Sequence, residues 1–487
     1  MKKKYVRWTL WTIASPFILF IILCILIYLP PIQNFLVDKA AVYASEATGM
    51  NISVGRISLS FPLNLVVTNV DAASLHNDTL LSVRRLQVNV QLLPLLKKQV
   101  EVDGISLQGA TVNSNDLIHG MKLNGTLGEL FISSHGVALD PETAIVNKVL
   151  LKDTDLSLCL NDTAAADTAA SDTTYWKIIL QDIDLQNVSF ALDMPLDSLS
   201  LAASLDNAIL RDGLIDLHKS AYSLQTFRIE NGRVRYDNGK PLAADSLSSG
   251  LDPSHIALTD IGVKLDSLYY GGRNMKAIIS QFVLKERSGV EIVSATGRMV
   301  SNDKVLRVPS LKLETRDSYL ELNAAMDWNA LDFKGEGLMS ARLMADIGKP
   351  DVVRFMGRMD EKFVRQYPSE PLRIRTGIDG DLNKLKLTTL TAELPGALGL
   401  FARGELTHLT DSLLRGGDIT LEAETKDLKF VSTLAEGIEI PYGTRLEGKF
   451  TMAGAKMGTD LLLMQPEAQA VAAADTIPIT VYNDSIS

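Results

Sequence analysis

Six histidines offer the first chemistry to look for: His76, His119, His135, His218, His255 and His408. They are scattered and never paired at ligand spacing, and a metal site needs several donors converging. Cysteine adds little, because Cys24 and Cys159 are the only two, too few for a thiol zinc site. Asp379-Gly-Asp-Leu-Asn383 opens like a calcium loop. Lys384 stands where the sixth-position glycine belongs, and Leu390 where the bidentate Glu belongs. It reads as a polar turn. Ser301-Asn-Asp-Lys304 has S-x-x-K spacing, which needs the Ser at a helix start and the Lys one turn along. Here it joins strand-like Met299-Val300 to Val305-Leu306, so it reads as a hairpin turn. No phosphate loop, nucleophile elbow or dinucleotide fingerprint occurs. The reading is therefore a non-enzyme, with no catalytic, cofactor-binding or metal residues.

One short motif is over-represented. Asp, then Ser or Thr, then Ala, Ile, Leu or Thr begins at Asp78, Asp162, Asp167, Asp172, Asp197, Asp245, Asp266, Asp411, Asp475 and Asp484. It resembles the O-glycosylation sequon of extracytoplasmic Bacteroidetes proteins, with Thr79, Thr163, Thr168, Ser198 and Ser246 among the implied acceptors. Turn chemistry explains the same pairs, since Asp-Ser and Asp-Thr suit turns before an apolar strand residue. Both readings stay open.

The chain around these motifs has 487 residues, 46% of them hydrophobic, enough to bury a sizeable core. Net charge is −10, from 48 basic and 58 acidic residues. A nucleic-acid partner wants a basic face, and no basic run occurs beyond the start. Aromatics are only 6%, which argues against base-stacking surfaces. No nucleic acid and no cofactor is expected.

The N-terminus carries Lys2, Lys3, Lys4 and Arg7, and no charge follows from Trp8 to Leu29. As a helix that stretch reaches roughly 33 Å, against a bilayer core of about 30 Å. Residues 1–29 are read as a single-pass anchor, with Trp8, Trp11 and Tyr28 at its interfaces and Phe17 and Phe20 within it. The basic flank places the N-terminus in the cytoplasm and the rest across the inner membrane, in the periplasm. The rival is a cleaved signal peptide, but the stretch is long for an h-region and no small-x-small site follows directly. Residues 30–49 open on Pro30-Pro31, show helical spacing through Ile32, Phe35, Leu36, Tyr43 and Ala47, and stop at Gly49. They predict an amphipathic helix, capping a core or lying on the membrane.

After Gly49 the period falls to two, the mark of half-buried strands. Val88 and Val90 share one face of their run; Leu320 and Leu322 share one face of theirs. Phe227, Ile229, Val234 and Tyr236 share a face on either side of Asn231-Gly232, a turn or bulge. These eight are the residues expected to line an apolar surface. A weak repeat runs through Val100–Val112, Ile178–Phe190 and Phe227–Tyr236: apolar-x-apolar, a polar or Gly break, then more alternation. Each copy is read as a strand pair, and the whole as an elongated β array.

The expected fold is mainly β. An N-terminal transmembrane helix precedes an elongated array of antiparallel or stacked strands, curved into a groove, with a few capping helices. Strand segments are expected over 50–160, 175–345 and 369–464. A low-complexity loop (161–174), a helix (346–368) and an irregular tail (465–487) interrupt or end them. In the helix, Val352, Val353, Met356, Met359, Phe363 and Val364 recur at helical spacing and are read as core.

The order of parts is similar to the AsmA-like envelope proteins, and closest to their TamB (translocation and assembly module) branch. The likeness rests on the basic start, the apolar helix, the amphipathic helix ending in Gly49-Met50, and Ile52-Ser-Val-Gly-Arg-Ile-Ser-Leu-Ser-Phe-Pro-Leu-Asn-Leu65. It is best from Met1 to about Leu95. The resemblance implies an anchored periplasmic β-groove that moves phospholipid between inner and outer membranes and serves outer-membrane biogenesis. Its partners would be acyl chains, the inner membrane and an outer-membrane barrel protein. Family members are usually much longer and end in a domain that meets that barrel, and no such end is evident here.

Periodicity leaves two architectures open: one curved sheet with an apolar channel, or two sheets packed as a sandwich. Roughly 20 to 25 strands at about 4.8 Å spacing fit either. The alternative function is an envelope scaffold that binds other proteins through sheet edges and helps them insert.

Overall fold

The computed structural model describes residues 39, 41–42, 45–46, 48–60, 64–74, 78–91, 102–114, 120–138, 142–161, 176–239, 250–331, 337–357, 359–434, 442–454, 456–464 and 477–483. The anchor expected over 1–29, with Trp8, Trp11, Phe17, Phe20 and Tyr28, lies outside them. Among the described residues no helix is long and apolar enough to cross a membrane. Of the helix expected over 30–49, the described residues 39, 41–42, 45–46 and 48 are helical.

The protein is mainly β, as its period-two runs require, with 23 strands among the described residues. They fall into two units. Unit 1 comprises Met1–His218 and Tyr236–Gly239; unit 2 comprises Lys219–Arg235 and Lys240–Ser487.

Unit 1 holds eight strands, paired in chain order: β1 (Asn51–Ser60), β2 (Asn64–Ala73), β3 (Thr79–Val90), β4 (Val102–Asn113), β5 (Met121–Ala138), β6 (Thr143–Leu160), β7 (Lys177–Met194) and β8 (Leu199–Asp216). Among the pairs whose register is described, β6–β7 alone is parallel.

At one level in every strand of unit 1, a residue drops out of the ladder. These residues are Gly55, Asn69, Arg84 and Gly109, then Gly128, Asp153, Asn187 and Asp206. Four of them have left-handed backbone: Asn69 (φ 54°), Gly109 (φ 62°), Asp153 (φ 48°) and Asn187 (φ 51°). Gly, Asn and Asp are the types that tolerate it. In β1, β3, β6 and β8 the level shows as two successive exposed residues: Gly55-Arg56, Arg84-Arg85, Lys152-Asp153 and Asp206-Asn207. The outer face thus gains one residue per strand that the inner face lacks. The register is the same on both sides of this level, so the unpaired positions face one another from strand to strand. The eight aligned positions make a crease across the unit.

Glycine is needed where the crease is tightest. A Cβ on Gly128 would stand 2.7 Å from Asp153 Cβ and 2.9 Å from the Asp153 carbonyl oxygen. On Gly109 it would stand 2.8 Å from the Arg84 guanidinium. Across the parallel step, Asn187 Nδ2 donates to Asp153 Oδ1 at 2.9 Å.

The three repeat copies are corrected by this geometry. Each is one strand with a break inside it, not a strand pair: β4 breaks at Gly109, β7 at Asn187, and β10 (Thr226–Asp237) at Asn231, φ 54°. The boundary between the units falls within β10, after Arg235.

Unit 2 opens with β9 (Ala221–Leu224), which pairs with β11 (His255–Gly271). From β11 an antiparallel ladder runs in chain order through β12 (Asn274–Glu286), β13 (Glu291–Ser301), β14 (Val305–Thr315), β15 (Tyr319–Asp327) and β16 (Met339–Ile347). It continues through β17 (Leu372–Gly380), β18 (Lys384–Leu394), β19 (Leu398–Thr407), β20 (Gly416–Thr425), β21 (Arg445–Ala453), β22 (Lys456–Met464) and β23 (Ile477–Asn483). The predicted turns at 301–304 and 379–383 join β13 to β14 and β17 to β18. In the second, Asp381 Oδ1 accepts the amides of Asn383 and Lys384 at 2.8 and 2.7 Å.

The helix expected over 346–368 is two helices, α1 (Lys349–Met356) and α2 (Glu361–Gln366). Gly357, at φ 73°, ends the first, and the Asp360 side chain caps the second. Met356 and Phe355 are consequently exposed, while Phe363 is buried. The α1 N-terminus is held by Asp351, 1% exposed. Its carboxylate accepts from the Thr315 and Ser318 hydroxyls in the β14–β15 turn and from Arg354. A buried charge persists only when paired and hydrogen-bonded in this way.

Gly128→Val should lower stability by about 2–3 kcal/mol, because neither the carbonyl nor Cβ opposite can yield. Gly399→Ala is the control, since the added methyl would meet nothing within 4 Å. Thermal unfolding of both variants checks this: the first should melt several degrees early and the second with the wild type.

Candidate functional site

Direct partners on adjacent strands share a face, so the registers trace rows that run across the strands. On one side of the crease, Ile57 in β1 pairs with Val67, then Leu86 and Leu107. The row goes on to Leu130, Leu151, Leu185 and Ala208 in β8. On the other side, Val54 leads to Val70, Val83 and Ala110, then to Leu127, Thr154, Val188 and Leu205. A further row lies outside each. One passes through Leu65, Val88, Ile105 and Ile132; the other through Ala72, Leu81, Val112 and Phe190's partner Leu156. None of these positions is charged.

The rows exist because the strands of unit 1 share an eight-residue pattern, apolar-x-apolar, two polar or Gly residues, apolar-x-apolar, with Gly125 at the first apolar position in β5 and Thr154 at the third in β6. Ile52-Ser-Val-Gly-Arg-Ile-Ser-Leu59 is one copy; Leu81-Ser-Val-Arg-Arg-Leu-Gln-Val88 and Ile183-Asp-Leu-Gln-Asn-Val-Ser-Phe190 are others. The paired polar residues switch the phase, which keeps apolar side chains on the inner face on both sides.

This face is only half covered. Of its residues, Ala72, Val83, Thr154 and Ala208 are buried, and most others are half-buried. Leu81, Ile105 and Phe190 are 37%, 36% and 38% exposed. The inner residues of a sandwich core would be close-packed.

Unit 2 has rows of the same kind. One steps from Val263 to Phe282, Ala295 and Leu313, then to Leu320, Ala345 and Ile374, and on through Ala392, Leu400, Ala423 and Leu446. Its neighbour runs through Leu311, Leu322, Leu343, Thr376, Leu390, Ala402 and Leu421. The opposite face carries exposed ion pairs, such as Arg375–Asp346 at 2.7 Å and Lys384–Glu405 at 3.1 Å. Such pairs add little stability and mark a solvated surface.

Part of the unit 2 face is roofed. Phe363 and Tyr367 meet Phe430 at ring-centroid distances of 5.7 and 5.1 Å, edge to face. Leu394, Ala397 and Leu428 complete this core, and Leu372 and Leu398 pack against it. Leu372 and Leu398 lie two residues from Ile374 and Leu400 on the same face. The cap therefore covers the edge of the apolar rows at β16–β20. Burial pushes the Tyr367 hydroxyl pKa up.

The residues expected to line an apolar surface are placed as follows. Val88 lies in an outer row of unit 1, and Val90 pairs with Val102 at the end of β3. Leu320 and Leu322 fall in adjacent rows of unit 2. Phe227, Ile229, Val234 and Tyr236 flank the Asn231 break in β10. All eight are half-buried. Sequence reading missed the longest rows, in β4 to β8, although the phase-switching pattern marks each of their strands.

The chemistry weighed earlier finds these surroundings. Ser301 Oγ donates to the Arg273 carbonyl at 2.7 Å, the contact of a turn residue. Among the described residues no group of three or more His, Cys, Asp or Glu could hold a metal. His255 is buried, its Nδ1 2.9 Å from Asp252 Oδ2. That contact, with the Ser254 amide, holds the Asp252 carboxyl below the usual carboxylate range. Of the candidate acceptors, Thr79 and Ser198 are exposed, while Thr163, Thr168 and Ser246 lie outside the described residues. At Asp411 the carboxylate accepts the amides of Leu413 and Leu414 at 2.8 and 3.2 Å, a turn contact.

No protein-family model matches this chain, and no curated protein matches it.

Because the folded pKa of Asp252 is lowered, its stabilising share is complete above the usual carboxylate range. It is lost as pH falls through the lowered value. Asp252→Asn should therefore destabilise the protein near pH 7 but much less near pH 3. Urea unfolding of both proteins at the two pH values measures the difference.

Proposed function

We propose that this chain is an inner-membrane-anchored protein whose apolar sheet faces form a groove for phospholipid acyl chains. One observation supports this reading above others: uncharged rows cross all eight strands of unit 1 on a face that is only partly buried. A surface of that size is costly to leave in water, at about 25 cal/mol per Å² of apolar area. Hydrocarbon covers it without asking for hydrogen bonds. The outer faces, with their ion pairs, suit an aqueous compartment.

In this reading Trp8–Leu29 crosses the inner membrane, and the strand-rich body stands in the periplasm. The groove carries phospholipid between inner and outer membranes and so serves outer-membrane biogenesis, as the likeness to AsmA-like and TamB-like proteins suggests. An outer-membrane barrel protein is the partner that likeness implies. Transfer is partitioning along a surface, so no residue acts as an acid, base or nucleophile.

The test is native mass spectrometry of the full chain, released from membranes in mild detergent. Several phospholipids per chain are expected. Leu322→Asp puts a charge in an inner row and should strip most of them while circular dichroism stays β-rich. A wild-type chain that emerges free of lipid, with a co-purifying protein instead, would move the reading to an assembly scaffold.

A further inference from the structure

We infer that the polar face of unit 2 binds an acidic oligosaccharide in a depression across β14–β18. The site lies opposite the apolar rows and does not depend on whether those rows carry lipid.

The registers give its layout. On the polar face, Arg307 in β14 pairs with Ala325, and the row goes on to Ser340, Asp379 and Lys386 in β18. In the next row Asn323 pairs with Arg342, and Arg342 with Gly377. The middle positions, Ala325, Ser340 and Gly377, are small, and longer side chains stand around them. The result is a half-open depression of about 590 Å³, within the roughly 300–1,000 Å³ of small-ligand sites. A second depression shares Lys386 and Thr388 with it and continues over β19–β21 past Arg403.

Many charges on this face are matched. Arg373 meets Glu393, and Arg375 meets Asp346. Lys384 and Lys449 hold Glu405 and Asp418, the two carboxylates of the second depression. The first depression is different. Among the described residues, Arg307, Arg342 and Lys386 form no ion pair, and Asn323 and Ser340 make no side-chain hydrogen bond. Five donor-bearing side chains thus face one space without protein partners, in a chain of net charge −10.

This donor set defines the ligand. Guanidinium forks suit carboxylates and phosphates. Arg307 and Lys386 stand four strands apart in one row, about 19 Å, with Arg342 midway in the next row. An extended chain with several anionic groups meets each cation where it stands. Asp379, between Ser340 and Lys386, selects further. A carboxylate accepts hydrogen bonds from hydroxyls and repels other carboxylates. Acidic sugars bring hydroxyls beside their anionic groups; a run of acidic amino acids brings none. No aromatic side chain lines the depression, so it offers no stacking platform for bases.

The experiment is isothermal titration calorimetry on the full-length protein in mild detergent, with hexagalacturonate as the probe. The probe should bind at low salt and weaken as salt screens the charges. Maltohexaose, which has the hydroxyls alone, should not bind. Arg307→Ala/Arg342→Ala should weaken binding by about tenfold or more without changing thermal unfolding. Lys362→Ala/Arg365→Ala removes the same charge from α2 and should leave binding unchanged. Failure of hexagalacturonate to bind, or equal binding by the Arg307→Ala/Arg342→Ala variant, overturns the site. Hexaglutamate binding as tightly as hexagalacturonate overturns the sugar assignment in favour of an acidic peptide. None of these outcomes alters the lipid test, which reads the opposite face.

Discussion

An apolar sheet face must be kept from water, and in unit 1 that demand sets the pattern of every strand. A flat eight-stranded sheet with one such face would stack on a neighbour or need a second layer. Here every strand leaves one residue out of the ladder at one level, and in β1, β3, β6 and β8 two successive residues there are exposed. The strands cannot do this independently, because a phase switch in one strand alone would send its apolar residues to the wrong side of the ladder. The switch must occur in all eight together. That is why polar or Gly pairs recur at matched positions, and why glycine faces the left-handed residue at the tightest crossing.

Unit 2 meets the same demand partly by covering. Its rows are as apolar, but α2 and the Leu428–Phe430 turn lay an aromatic roof over one edge. Asp351 makes this arrangement possible from a distance. By fixing the start of α1 against the β14–β15 turn, it sets where the chain re-emerges at Gly357 and hence where Phe363 lands. The roof is thus tied to a polar anchor, while the packing that it provides is wholly apolar.

Much of this was legible in the sequence, and the limits have physical causes. Period-two alternation revealed the strands, and the interruption at Asn231-Gly232 was visible as a break with one face preserved. Read singly, such a break looks like a turn, because Asn-Gly favours turns and left-handed backbone alike. Only the register shows that the breaks at Gly109, Asp153 and Asn187 lie side by side, since pairing is a long-range property. The helix at 346–368 divides for a local reason: Gly357 adopts a conformation that ends a helix, and apolar spacing carries no signal of it. The residues of the inner rows are ordinary as letters. Leu107, Leu130 and Leu151 gain meaning from partners that lie tens of residues away.

The parallel step between β6 and β7 has a consequence for how the chain folds. An antiparallel hairpin starts from a near-local contact; β1 and β2 can begin at Ser60 and Asn64 and zip outward. Every β6–β7 pair is separated by the same 34 residues, as Asp153 and Asn187 are. No short-range pair exists from which to nucleate, so the full loop-closure entropy falls on the first contact. The neighbouring hairpins can each form as soon as their own residues are available. Joining β7 to β6 is then the slowest event in the unit, and it is the one that makes the crease continuous.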